Sequence, residues 1–220
     1  NNAGGIITAV DLSIKAQELT NAYINSLAGV LDAKNLTLTV SELNNQALIQ
    51  AEQLNLQGEK FNNNQGVLLA TASSGNSLQM DFIQGITNHQ GTIESHSDQL
   101  TISSNLDNRD GLVLLTGNGD LTLADVNNNN GQLLSNGNVT IASAAEVANE
   151  NGLIQALENV SIHSGNLNNN TGTIAAGKAL TIASTHLNNR QGLLVADGTA
   201  DNSLQLNATN PIDNTQGVIE

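Results

Sequence analysis

Apolar residues recur along this chain in one short alternating pattern. A large aliphatic stands at Ile7, Leu31, Ile49, Leu68, Ile93, Val113, Leu133, Ile154, Ile174, Leu194 and Ile219. Two residues on comes a mostly small one, from Ala9, Ala33, Ala51 and Ala70 through Ser95, Leu115 and Ser135 to Ala156, Ala176 and Ala196. A pair flanking one polar residue follows, as in Leu36/Leu38, Leu100/Ile102, Leu121/Leu123, Val139/Ile141 and Leu180/Ile182. A last apolar position closes the unit at Phe61, Ile86, Leu106, Val126, Val147, Leu167, Leu187 and Ile212. Alternation at period two predicts strands, here in pieces of a few residues. No 3.6-residue period is sustained, and dense Asn, Thr and Gly disfavour helix.

Glycine marks the register at Gly5, Gly29, Gly66, Gly91, Gly111, Gly131, Gly152, Gly172, Gly192 and Gly217, with Ala47 in its place once. Three short strands and three corners per period describe one coil of a solenoid, whose inward side chains are buried only by stacking on neighbours. The pattern therefore predicts an all-β fold, a right-handed parallel β-helix of about ten coils of roughly 20–21 residues. Residues 1–220 read as a single such segment, a rod of roughly 48 Å at ~4.8 Å per coil. Three residues before each marker the column reads Asn2, Ser26, Asn44, Asn63, Asn88, Asn108, Asn128, Asn149, Asn169, Asn189 and Asn214. Amides stacked at one corner can each bond to the coil on either side, so a structural Asn ladder is expected there. The glycine is expected to supply a bend that a side chain would obstruct.

Composition fits a thin, uniform core: two Phe, one Tyr, no Trp, one Pro and no Cys in 220 residues, with 39% hydrophobic. Disulfides are excluded. A net charge of −14 speaks against nucleic acid or anionic lipid as partner. No apolar run approaches the ~20 residues of a membrane span, so no membrane insertion by this segment is expected. The chain opens in mid-repeat and reads as a piece of something longer.

The unit from 167 to 184, L-N-N-x-x-G-x-I-x-A…L-T-I-x-S, resembles the haemagglutinin repeat of filamentous haemagglutinin-type proteins. The resemblance spans nearly the whole chain. It implies the passenger of a bacterial two-partner secretion system, an adhesin or a contact-dependent growth inhibition effector. Such a passenger is exported by an outer-membrane transporter and displayed at the cell surface or secreted. Neither the family's amino-terminal secretion signatures nor a carboxy-terminal toxin domain is matched, so the segment is expected to be stem.

Candidate chemistry is sparse. No metal-ligand spacing, nucleophile elbow, P-loop or dinucleotide fingerprint is present. His89, His96, His163 and His186 fall at different offsets and do not form one column. The segment "LDNRDG", with Asp107, Asn108 and Asp110, lacks the rest of a calcium loop. Glycoside hydrolysis needs two carboxylates in one groove, and no outward column is consistently acidic. The chain is thus read as a non-enzyme without cofactor or catalytic residues. Departures from the repeat are the better clue to binding, because loops vary on a rigid scaffold. Two coils are longer than most, through "TASSGNS" (71–77) and "ADGTADNS" (196–203), and a third departure at 15–26 carries the only tyrosine. Candidate residues for binding a host or neighbour-cell receptor are Tyr23, Ser73, Ser74, Asn76, Asp197, Thr199 and Asp201. Open strand edges at both ends suggest end-to-end self-association of an isolated piece. Five N-x-S/T sequons, at Asn35, Asn138, Asn159, Asn169 and Asn207, are of the number expected by chance in so polar a chain.

Overall fold

A computed structural model describes residues 1–199 and 203–220. The fold is all-β, with parallel strands stacked as a solenoid of about ten turns. Each turn contributes to three columns. The first face runs from Ile6 through Val30, Leu48, Val67, Thr92, Leu112, Gln132, Leu153, Thr173 and Leu193 to Val218, each paired with the next in register. The second face stacks Leu36, Leu54, Leu78, Leu100, Gly119, Val139, Val160, Leu180 and Leu204. The third stacks Leu19, Leu43, Phe61, Ile86, Leu106, Val126, Val147, Leu167 and Leu187.

The first coils run through two corners as single long strands, Ile6–Asn21, Val30–Asn45 and Leu48–Asn62. Later coils break at the first corner, as where Thr173–Ala176 is followed by Leu180–Asn188. Alternation sets the core: Leu31, Ile49, Leu68, Ile93, Val113, Leu133, Ile154, Ile174 and Leu194 are all fully buried in one inward column. Aliphatic neighbours above and below supply the apolar contact that one coil cannot supply alone.

One place departs from the sequence pattern by exchange of volume. Leu121 and Leu123 are not the counterparts of Leu100 and Ile102; Gly119 and Leu121 are. The cause lies one strand earlier, where Leu115 stands in register with Ser95 and Ser135 in the small-residue column. A Cβ on Gly119 would lie 2.6 Å from Leu115 Cδ1, so the glycine makes room for the oversized leucine. The outward residue of that strand is accordingly Asp120, not Thr122. Gly58, in register between Val40 and Phe82, is set chiefly by the backbone, since a Cβ there would collide with the Val40 carbonyl oxygen. The Phe82 ring lies 3.2 Å from where a Cβ would sit and packs against Phe61 at 5.3 Å between centroids.

Candidate functional site

The corner after the third face carries the repeated L-N-N motif, and its two asparagines do different work. The second points inward. Starting at Asn2, the Nδ2 of each donates to the Oδ1 of the next through Asn21, Asn45, Asn63, Asn88, Asn108, Asn128, Asn149, Asn169, Asn189 and Asn214. These bonds measure 2.7–2.9 Å, and every one runs from an earlier coil to a later one. The same amides reach carbonyls across the corner, as Asn88 does to Gly91 and Leu112. From Asn21 to Asn189 these side chains are completely buried, so each must be satisfied internally.

The first asparagine points outward and closes the turn. Asn62, Asn127, Asn168 and Asn188, with Asp107 and Asp213 in the same place, accept through Oδ1 from the backbone N–H two residues on. This is the local bond that makes Asn and Asp favourable in turns. It also corrects one position of the ladder. Asn44 is in register with Asn62 and bonds to Glu42, while Asn45 takes the ladder place. That corner is one residue shorter, so counting back from Ala47 lands on the wrong asparagine. Ser26 is likewise not the member from the second coil; Asn21 is, displaced from its marker by an inserted hairpin.

The glycine's role also differs from the expected bend. The left-handed residue at the regular corners is the one before it: Gln65, Gln90, Asp110, Asn130, Asn151, Thr171, Gln191 and Gln216 have φ of 52–62°. Gly131 shows what the marker does. Its Cβ would sit against the Asn108 carbonyl oxygen, 2.8 Å from Asn128 Oδ1 and 3.0 Å from Asn108 Nδ2. A side chain there would push apart two rungs of the ladder. Ala47 is tolerated at its shorter corner, which has no left-handed residue.

The three departures from the repeat border the first face. Residues 71–77 follow Ala70, and the segment after Ala196 leaves the same corner six coils later, roughly 29 Å along the rod. Ser73, Ser74 and Asn76 are exposed, as are Asp197 and Thr199; Asp201 lies outside the described residues. Asp98 accepts from the Gly75 N–H at 3.2 Å, which ties the first loop down. At the opposite edge, Tyr23–Ile24 and Leu27–Ala28 form an antiparallel hairpin with Asn25 and Ser26 at positive φ. Tyr23, Ile24 and Leu27 of this hairpin are all exposed.

Several charged groups form local pairs. Arg109 holds Asp107 through Nε and Nη2 at 2.8 and 2.7 Å, and this bonding raises the guanidinium above its ordinary pKa. Asp110 faces His89 at 3.3 Å, His96 faces Glu94 at 2.5 Å, and Lys178 pairs with Glu158. Asp213 is held below the ordinary carboxylate range by hydrogen bonds from the Thr215 hydroxyl and N–H, with Arg190 adding a smaller effect. Among the described residues no three His, Cys, Asp or Glu side chains gather as a metal site. Among them, too, no helix is long and apolar enough to cross a membrane. Of the sequons, Asn169 is a buried rung, and Asn138 and Asn159 form a second short ladder with Asn118 at the next corner. Asn35 and Asn207 are exposed.

One surface was not legible as such in the sequence. Outward positions of the second and third faces are Thr, Ser, Asn, Gln and Asp in most layers, but those of the first face are largely aliphatic. Val30, Leu48, Val67, Leu69, Leu112, Leu114, Leu134, Leu153, Leu193, Val195 and Val218 form this outer stripe. The signal lay in continuous runs such as "VLLA", "LVLL" and "LLVA", which lack the polar alternation of a half-solvated strand.

Comparison with curated proteins and with solved structures returns no match. The haemagglutinin repeat family model matches twice, over residues 86–156 and 144–216, together more than half the chain. Its matches begin after the coils with the hairpin, the short Ala47 corner and the 71–77 insertion. By its ladder, its glycine corners and this match, the chain belongs to the haemagglutinin repeat family.

Proposed function

We propose that this chain is a length of shaft in a secreted bacterial surface filament, holding a binding or toxin module away from the cell for contact with another cell. The observation that carries the reading is the asparagine ladder, which keeps one register through every coil, including those with insertions or a shortened corner. A rod in which every layer is bonded to the next resists bending, which is what a spacer requires. Export through an outer-membrane two-partner transporter and display at the bacterial surface, or release from it, follow from the family context. Removing a whole coil should preserve the fold and shorten the rod by ~4.8 Å. Scattering on a variant lacking 132–152 tests this: a folded rod shorter by one layer supports the spacer reading, and collapse of the fold or unchanged length overturns it.

A second reading has its own observation. The hairpin and both longer corners flank one face, as loops do when they frame a binding surface. In this reading the segment itself is adhesive toward a receptor on a host or neighbouring cell. Labelled chain and a variant with 71–77 and 196–203 cut to repeat length would be compared on candidate target cells. Saturable binding lost in the variant supports adhesion; no binding by either leaves the spacer.

A further inference from the structure

We propose that the aliphatic first face is a lateral contact surface, on which a second copy of this chain packs side by side along the rod. Parallel sheets are normally covered on both sides, and their strands then read as unbroken apolar runs. The first face has those runs with the core on one side only. Leu112 and Leu114 lie one layer from Leu134, and Leu153 follows in the layer after; Leu193 and Val195 repeat the pair further along. Leu157, 58% exposed at the bordering corner, extends the stripe sideways.

Charge and area both favour a copy of the chain as the occupant. The outward positions of this face carry only Asp32, Glu94 and Glu220 as charged groups among the described residues, and Glu94 is bonded to His96. Most of the excess of −14 therefore sits on other surfaces, where two rods packed on this face need not bring it together. Layers at ~4.8 Å and two outward positions per strand give a strip of roughly 50 by 10 Å, about 500 Å². Thirteen of its twenty-two outward positions are aliphatic, so its apolar part is about 300 Å², comparable to the largest apolar patch on an ordinary monomer. Two such strips bury about 1,000 Å² together, the lower limit for a specific interface, so the pairing is a reversible one. A partner must present a long, straight strip of low charge whose side chains repeat at the same spacing. The first face of another copy meets each requirement by construction, and a twofold axis lets the same patch serve both molecules. Sheets so packed lie ~10 Å apart with their side chains interdigitated. The loops at 71–77 and after Ala196 bracket coils with short corners, leaving Leu112 to Ala175 unobstructed between them.

The test combines sedimentation equilibrium with the cross-sectional radius from small-angle scattering, on the full chain from micromolar to millimolar. Leu114→Glu with Leu134→Glu is compared with Thr140→Glu with Thr181→Glu, which places the same charges outward on the second face. Circular dichroism and urea midpoints establish that each variant is folded, and Leu114→Thr with Leu134→Thr serves if the glutamates are not tolerated. Wild type and the second-face variant should thicken as concentration rises. The first-face variant should need at least tenfold more protein to do so. A rod that stays one molecule thick, grows only in length by stacking end to end, or thickens equally in the first-face variant overturns the proposal.

Discussion

Replacing Asn128 by aspartate changes one NH2 into one oxygen and tests the ladder at constant volume. Asn128 is fully buried in the middle of the rod. Its Nδ2 donates to Asn149 Oδ1 at 2.8 Å, to Leu153 O at 3.1 Å and to Gly131 O at 3.2 Å, while its Oδ1 accepts from Asn108 at 2.7 Å. Asn128→Ala removes these bonds and leaves Asn149 Oδ1 without this donor, at a cost of about 2–3 kcal/mol. Asn128→Asp turns three donations into oxygen facing oxygen and buries a charge, adding about 3 kcal/mol more at neutral pH. That addition means that the buried carboxyl is raised above the ordinary aspartate range. A raised carboxyl pKa means that the folded state binds the proton more tightly than the unfolded chain does. Stability should then fall as pH rises from the ordinary aspartate range through the raised midpoint and level off above it. Urea unfolding followed by far-UV circular dichroism from pH 4 to 8, each variant taken relative to wild type, reads this directly. Asn130→Asp is the control on the same turn: its side chain is exposed, Asp110 occupies the equivalent place, and the change should stay within about 0.5 kcal/mol. A flat difference for Asn128→Asp, or equal damage from Asn130→Asp, would refute the reasoning.

Gly131→Ala should lower stability by about 2 kcal/mol or more by forcing Asn108 and Asn128 apart, whereas Ala47→Gly should cost no more than about 1 kcal/mol. Comparing the two urea midpoints checks whether close approach, and not a bend, selects the residue. Gly119→Ala should destabilise the wild type but much less a Leu115→Ser background, with a coupling of about 1–2 kcal/mol in a double-mutant cycle. Additive effects would mean that the two positions do not share one space. The Asp213 carboxylate should titrate below an ordinary aspartate by NMR, and Thr215→Val should raise its midpoint. Because its folded pKa is depressed, its contribution is present above the ordinary carboxylate range and is lost as pH falls through that midpoint.

The stacked coils were legible because inward aliphatics recur with strict spacing, and a period-two pattern interrupted every twenty residues or so has few other solutions. The ladder was legible from Asn63 onward, where sequence column and hydrogen-bonded column are the same residues. It was lost earlier because glycine is a poor origin: the corner between ladder and marker gains a hairpin after Asn21 and loses a residue after Asn45. The buried aliphatic or aromatic residue two positions before each rung is the better origin. Leu19 precedes Asn21, Leu43 precedes Asn45 and Phe61 precedes Asn63 by the same step, since both side chains point inward from one strand. Leu121 and Leu123 misled because hydrophobicity alone does not say that Gly119 is the inward residue; only the space taken by Leu115 does. The outer aliphatics of the first face are not legible in the pattern for a related reason. Alternation assigns the outward place to polar residues by default, and a strand apolar on both sides reads as a richer core.

The amides of the ladder all face the same way, each offering its N–H toward the carboxy-terminal end. Their dipoles therefore add along the axis instead of cancelling, and each polarises the next. The rod thus has a head and a tail electrically as well as covalently. One end of the amide row presents a carbonyl oxygen, on Asn2, and the other the amide of Asn214. A further coil continues the row only if it enters with the same polarity. Growth coil by coil would extend that polarised row in a single direction, with each finished rung a template for its successor.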